Sequence, residues 1–298
     1  MEKRTSATVY GVRSFAHLGD AIITAGAVRN VKAARPDLRF RYVGWAAEVW
    51  ANNPDNDAAE ATVVLPKVHY GSVEDERQAS YGTVVEGFTR TLCRHLGISP
   101  VRCVTRAPFA VLSAEEKAEG EKWRGCVLLN ANGQTVSFSK AYPHWQRVVD
   151  GLAGDFRLVQ VGSREKRNIS TDLRGVEDMR GRTENLRQFM AMVWGCAGVI
   201  SPPSGIVNVA AAFGKPGVVV CGARELPALT AYKGMVHVFR PWDRCASGRG
   251  RCCISLTDGG QRPCADVVRC NGGRFAACMA AVAAEEVVAA VRGVWKDR

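Results

Sequence analysis

Several loops of this chain place charged or small polar residues where a strand gives way to a helix. In the first, Ser14 to Asp20 (SFAHLGD), Gly19 permits a tight turn into the following helix. Asp20 then stands at the carboxyl edge of a strand, where its carboxylate can take a proton from an attacking hydroxyl. The same residue also reads as the helix N-cap, satisfying orphan amides. His17 lies in the same loop. In the second, Ser139 to Trp145 (SKAYPHW), Lys140 precedes a helix that opens at about Pro143. A lysine beside a helix N-terminus makes an anion site; a solvated surface lysine is the other reading. In the third, Gly162 to Arg167 (GSREKR), Glu165 is placed to hydrogen-bond ribose hydroxyls. The fourth, Ser201 to Asn208 (SPPSGIVN), is a rigid turn into a helix, and the amides of Ser204 and Gly205 can cradle a diphosphate. The chain has neither a Walker P-loop nor a GxGxxG fingerprint, which argues against an ATPase or a simple dehydrogenase.

A fifth feature has a different chemistry. Cys245, Cys252, Cys253, Cys264, Cys270 and Cys278 crowd one stretch, together with seven arginines between Arg240 and Arg274. Four thiolates suffice for a tetrahedral site, so a structural zinc or iron is expected here. The alternative is a set of reduced cysteines buried under loops. A closed all-thiolate site leaves no open coordination position, which favours a structural role over a catalytic one. The arginines suit nucleic acid phosphates or form a solvated basic face.

The elements that must position these loops follow from periodicity. ATVYGV (7–12) reads as a strand, 19–35 as a helix stopped by Pro36, and LRFRYV (38–43) as a second strand. Strand, helix, strand in so short a span is a βαβ unit, and implies a parallel sheet. Residues 61–65 suit a further strand and 80–96 a helix ended by Gly97. From Ser113 onward the pattern repeats. Ser113 and Glu116 form a capping box. Strands at 126–130, 157–161, 198–200 and 217–221 alternate with helices at 142–152, 185–196 and 206–213. The chain closes on an amphipathic helix at 283–295. The expected fold class is α/β, with two Rossmann-like doubly wound domains facing a cleft and a cysteine-rich metal-binding segment. Residues 1–112 form the first of these domains and 113–240 the second. Residues 241–280 form the basic metal module and 281–298 the last helix.

Composition sets the class. The 298 residues are 47% hydrophobic and 23% charged, ordinary for a soluble globular protein. No window holds roughly 18 uncharged apolar residues, so no membrane span is expected. The N-terminus lacks a signal-peptide apolar run. A cytoplasmic, reducing location follows, in which eleven cysteines serve as thiols or metal ligands rather than disulfides. The net charge of +11 lies mostly in residues 151–298 and suits an anionic partner.

Taken in order, the loops resemble the ADP-heptose:lipopolysaccharide heptosyltransferases, glycosyltransferase family nine, of GT-B fold. The resemblance covers most of the chain. It rests on the LGD opening with its helix and ARPD, Asn53-Pro54-Asp55, Lys140 to Trp145, Thr183 to Leu186, the Pro203-Ser204-Gly205 turn, and the strand after Gly214-Lys215-Pro216. It implies that Asp20 is the general base that deprotonates the acceptor hydroxyl. It further implies that Lys140 contacts the donor diphosphate, Glu165 the ribose, and Ser204 and Gly205 the phosphates. The reaction would be inverting, with no catalytic divalent ion. The family usually has Asp-Thr-Gly followed by His where this chain has Pro203-Ser204-Gly205 and Asn208. That form resembles the branch that glycosylates autotransporter adhesins, whose C-terminal cysteine motif binds iron.

The expected function is therefore transfer of a sugar from a nucleotide-diphosphate sugar to an acceptor hydroxyl. The acceptor is a glycan or protein, as the resemblance implies, or a hydroxymethylated pyrimidine in DNA, as the basic module suggests. Oligomerisation is left open. The competing reading is a non-catalytic nucleic-acid-binding protein that uses a metal ribbon on a degenerate transferase body.

Overall fold

A computed structural model describes residues 8–15, 17–69, 82–131, 133–134, 140–164, 168–169, 171–240 and 264–295. Strand β1 (Val9–Val12), helix α1 (Leu18–Ala34) and strand β2 (Arg39–Tyr42) form the first βαβ unit, within two residues of the expected limits. β2 pairs parallel with one edge of β1, and β3 (Val63–Val64) with the other, giving the order β2-β1-β3. Residues Gly19 to Val28 of α1 are buried without a break. The helix is enclosed because it packs against α2 (Val84–His95) and against the second half of the chain, as well as on its own sheet. Two polar contacts fix it. Trp50 Nε1 donates to the carbonyl of Ala21 at 3.0 Å. Asn30, fully buried, donates to Thr89 Oγ1 and the Thr105 carbonyl, each at 3.0 Å, and accepts from the Thr105 amide at 2.8 Å. A buried amide is tolerable only with such partners, so Asn30 pins the segment that leaves the first sheet.

The second half begins with α3 (Ala114–Gly120), capped by the expected Ser113–Glu116 box. Then come β4 (Cys126–Leu129), β5 (Gly133–Gln134), α4 (Trp145–Gly151), β6 (Arg157–Gln160), β7 (Asn168–Ile169) and β8 (Glu177–Asp178). These are followed by α5 (Leu186–Gly195), β9 (Gly198–Ser201), α6 (Gly205–Ala212), β10 (Gly217–Cys221) and β11 (Met235–Phe239). β5 and β7 make a small antiparallel pair. The rest form one parallel sheet of order β11-β10-β9-β4-β6-β8. Numbered along the chain this is 6-5-4-1-2-3, the strand order of doubly wound nucleotide-binding sheets. Its direction reverses between β4 and β9, and ligands of such sheets bind beyond the carboxyl ends at that point.

The strand sequences explain the layering. CVLL and GVVVC are apolar throughout because both faces of a parallel sheet are covered. Cys126 and Leu128 of β4 face one core, with Val159, Met190, Val193 and Val207; Val127 and Leu129 face another, with Trp145, Val148, Val287 and Val291. The first of these cores does not stop at the second sheet. It runs on through Ile22, Val28 and Phe40, so the two sheets share it.

The C-terminal part adds β12 (Val267–Cys270), β13 (Gly273–Ala276), α7 (Ala277–Ala280) and α8 (Ala284–Trp295). β12 and β13 are an antiparallel hairpin turning on Asn271 and Gly272, at φ 47° and 74°. Both values are positive, as a type I′ turn requires, which suits Asn-Gly. Sequence periodicity missed this hairpin and the edge strands β8 and β11. β8 is two residues long and acidic, and β11 (MVHVF) is only partly buried, its apolar run broken by His237. α8 packs on the second sheet, with Trp295 Nε1 donating to the Ala197 carbonyl at 3.2 Å. No helix among the described residues is long and apolar enough to cross a membrane.

Candidate functional site

The site forms where two helix N-termini meet, that of α1 beyond β1 and that of α6 beyond β9. A Cβ on Gly19 would lie 3.0 Å from Asn208 Nδ2 and 3.3 Å from Gly205 Cα; one on Gly205 would lie 3.5 Å from the Gly19 amide. Gly19 is thus a residue of close approach between the halves. The next residue is Asp20.

Asp20 is not the helix cap. His17 occupies the N-cap position, and Asp20 is the third residue of α1. The N-cap alternative for Asp20 is thereby corrected: no orphan amide claims its carboxylate, which accepts no hydrogen bond among the described residues. The side chain is buried, only 6% of the residue remaining exposed. Burial pushes its pKa up to about 7; the Lys140 ammonium pulls down and Glu225 pushes up, but desolvation dominates. A carboxyl that titrates near neutrality is matched to proton transfer.

Lys140 reaches this site from the other half. Helix α4 starts at Trp145, later than expected, and Lys140 does not serve its N-terminus. Its Nζ donates instead to the Pro203 carbonyl at 2.9 Å, beside the start of α6, and pairs with Glu225 Oε1 at 2.6 Å. The side chain is 20% exposed, so it is not a free surface lysine.

Ser204 is the N-cap of α6 by position, but its hydroxyl does not cap the helix. It lies 2.8 Å from Ser201 Oγ and accepts from Asn130 Nδ2 at 3.1 Å; Asn130 Nδ2 also lies 3.2 Å from Ser201 Oγ. These three residues sit at the carboxyl ends of β4 and β9, on the switch point itself. The first-turn amides of α6 and its positive dipole end therefore open toward the crevice. Asn208 is engaged at both ends of its amide: Nδ2 donates to the Ser204 carbonyl at 3.2 Å, and Oδ1 accepts from the buried Tyr232 hydroxyl at 2.8 Å. It braces the turn.

The structure thus brings Gly19, Asp20, Lys140, Ser204, Gly205 and Asn208 together. Glu165 lies outside the described residues, as do Cys245, Cys252 and Cys253. Cys264 and Cys270 flank and end β12, while Cys278 is buried in α7 and its Sγ accepts from the Ala223 amide at 3.4 Å. Among the described residues no three His, Cys, Asp or Glu converge as metal ligands. Sequence reasoning missed Glu225, Asn130, Ser201 and Tyr232. Asn130 had a signal, being the polar residue that ends the buried run CVLL. Glu225 had none, since only the fold carries the loop after β10 to Lys140.

No protein-family model and no curated protein matches the chain. Its structure is similar to solved structures. One is the ADP-heptose lipopolysaccharide heptosyltransferase II of E. coli: 14% identity over 96% of this chain and 98% of that one, TM-score 0.62. Another is a glycosyl transferase family 9 protein from Veillonella parvula: 14% identity, 100% and 99% covered, TM-score 0.65. A third is TibC, a dodecameric, iron-containing heptosyltransferase of enterotoxigenic E. coli, solved with ADP-D-β-D-heptose: 15% identity, 97% and 76% covered, TM-score 0.60. The fold is that of GT-B-like glycosyltransferases, two parallel α/β sheets with their carboxyl edges toward one crevice.

Proposed function

We propose that the chain is an inverting glycosyltransferase, moving a sugar from a nucleoside diphosphate sugar to an acceptor hydroxyl. The observation that carries this is the meeting of Asp20 and Lys140, from different halves, at facing helix N-termini. Asp20 accepts the proton of the acceptor hydroxyl. The oxygen attacks the anomeric carbon from the face opposite the diphosphate, and the carbon–oxygen bond to the diphosphate breaks. The leaving group departs with the electron pair toward the amides of Ser204 and Gly205 and the Lys140 ammonium. Preformed donors in a partly buried crevice stabilise such charge strongly. Asp20 is suited to the base role because burial leaves it basic at neutral pH. Glu165 follows strand β6 and is assigned to the donor ribose.

A thermal-shift panel of ADP-, UDP-, GDP- and CMP-sugars tests this reading. At least one should raise the melting temperature, and the same one should be consumed when acceptor is supplied. If none shifts melting and none is hydrolysed, the transferase reading fails, and a nucleic-acid-binding protein on a transferase body takes its place. ADP-heptose, the ligand named for the TibC structure, is the first donor to try.

The acceptor is a glycan or protein hydroxyl, or a hydroxymethylated pyrimidine in DNA. DNA affinity that falls steeply with salt supports the second. For the cysteine-rich segment we propose a structural zinc or iron. An all-thiolate donor set suits either ion, and six thiols are present. Elemental analysis of the purified protein should find about one such ion per chain; a metal-free, fully stable protein would refute it.

A further inference from the structure

We propose that Glu225 is a carboxylate latch that occupies Lys140 where the donor's phosphates must bind, so that the nucleoside diphosphate enters by displacing it and leaves as it returns. This rests on the donor reading above. The Glu225–Lys140 contact is short and sheltered: Oε1 to Nζ is 2.6 Å, with the two side chains 14% and 20% exposed. The Pro203 carbonyl takes a second of the lysine's three donor positions at 2.9 Å. Lys140 is thus held beside the first turn of α6, where a phosphate would sit. Asp20 and Glu225 both act on the Lys140 ammonium. Adding a diphosphate would place further negative charge against Glu225 in a partly buried site, where like charges repel strongly. The carboxylate and the phosphate therefore compete for one cation. Glu225 weakens binding of donor and of product alike, and its return to Lys140 helps to expel the nucleoside diphosphate after transfer. It touches no reacting atom and is a positioning residue.

The test compares Glu225→Gln with the wild-type protein by calorimetry, using ADP, UDP, GDP and CDP and the four matching nucleosides. Glutamine keeps the shape and removes the charge. The diphosphate that binds the wild-type protein should bind the variant about tenfold tighter, the factor set by loss of a competing charge–charge contact. Affinity for the nucleoside should not change. Glu225→Ala should likewise tighten diphosphate binding and leave nucleoside binding unchanged, and serves if the glutamine variant folds poorly. Inorganic pyrophosphate should compete with the diphosphate more effectively against either variant than against the wild-type protein. Unchanged or weaker diphosphate binding, with nucleoside binding intact, overturns the latch and leaves the donor site standing. Loss of both overturns it too and makes Glu225 merely structural. If no nucleoside diphosphate binds the wild-type protein, the donor reading fails and takes the latch with it.

Discussion

Replacing Asp20 by asparagine removes a charge that the fold buries at a cost. The carboxyl is shifted from 3.8 to about 7, roughly 4 kcal/mol at about 1.4 kcal/mol per unit, taken as an upper figure. The sign is fixed by the direction. A raised folded-state pKa means that the folded protein holds its proton longer than the unfolded chain. Stability from this group is complete below about pH 4, declines as pH rises, and is lost once pH passes about 7. Asp20→Asn has no such slope. Urea unfolding at one-unit steps from pH 4 to 8 should show little difference from wild type at the acid end. The variant should gain by up to the figure above near pH 7, with no further gain at pH 8. Transfer should meanwhile fall by about a hundredfold or more. A variant both more stable and less active is the signature of a strained functional group. If transfer survives unchanged, Asp20 is not the base. If the stability difference is flat across this range, the carboxylate is not ionised at a cost, and the electrostatic account is wrong.

Three further substitutions probe the supports of the site. Lys140→Met should weaken nucleoside diphosphate binding by about tenfold or more, measured by calorimetry, because a partly buried charge-assisted contact is lost. Gly19→Ala places a methyl group 3.0 Å from Asn208 Nδ2 and 3.3 Å from Gly205 Cα; activity should drop well before thermal stability does, since the two helix N-termini must part. Asn30→Ala should cost about 2–4 kcal/mol in urea unfolding with donor affinity intact, because it strands the Thr105 amide and carbonyl in a buried position.

The second sheet was largely legible in the sequence because its strands are covered on both faces. Runs such as CVLL and GVVVC announce themselves, and the helices between them carry plain apolar periodicity. Short edge strands such as Glu177–Asp178 give no such signal, since their side chains do not enter a core. The site divides in the same way. Asp20, Ser204 and Gly205 stand at helix starts and Lys140 in the stretch before α4, where local chemistry suggests a role. Their convergence was not readable from periodicity. Lys140 was expected at its own helix and was found at α6, more than sixty residues on, held by the Pro203 carbonyl. Glu225 became visible only through that contact. Asn208, first noted as a departure from a family pattern, proves to brace the turn through Tyr232.

The apolar core shared by the two sheets has a bearing on specificity. Ile22 and Phe40 of the first half belong to the same cluster as Leu128, Met190 and Val207 of the second. Pulling the sheets apart would expose that cluster at about 25 cal/mol for each square ångström of apolar surface. Wide hinge opening is therefore disfavoured, and the crevice arrives preorganised rather than assembled around its ligand. On the proposed transferase reading, substrates would then be selected by the fixed shape of the entrance rather than by domain closure.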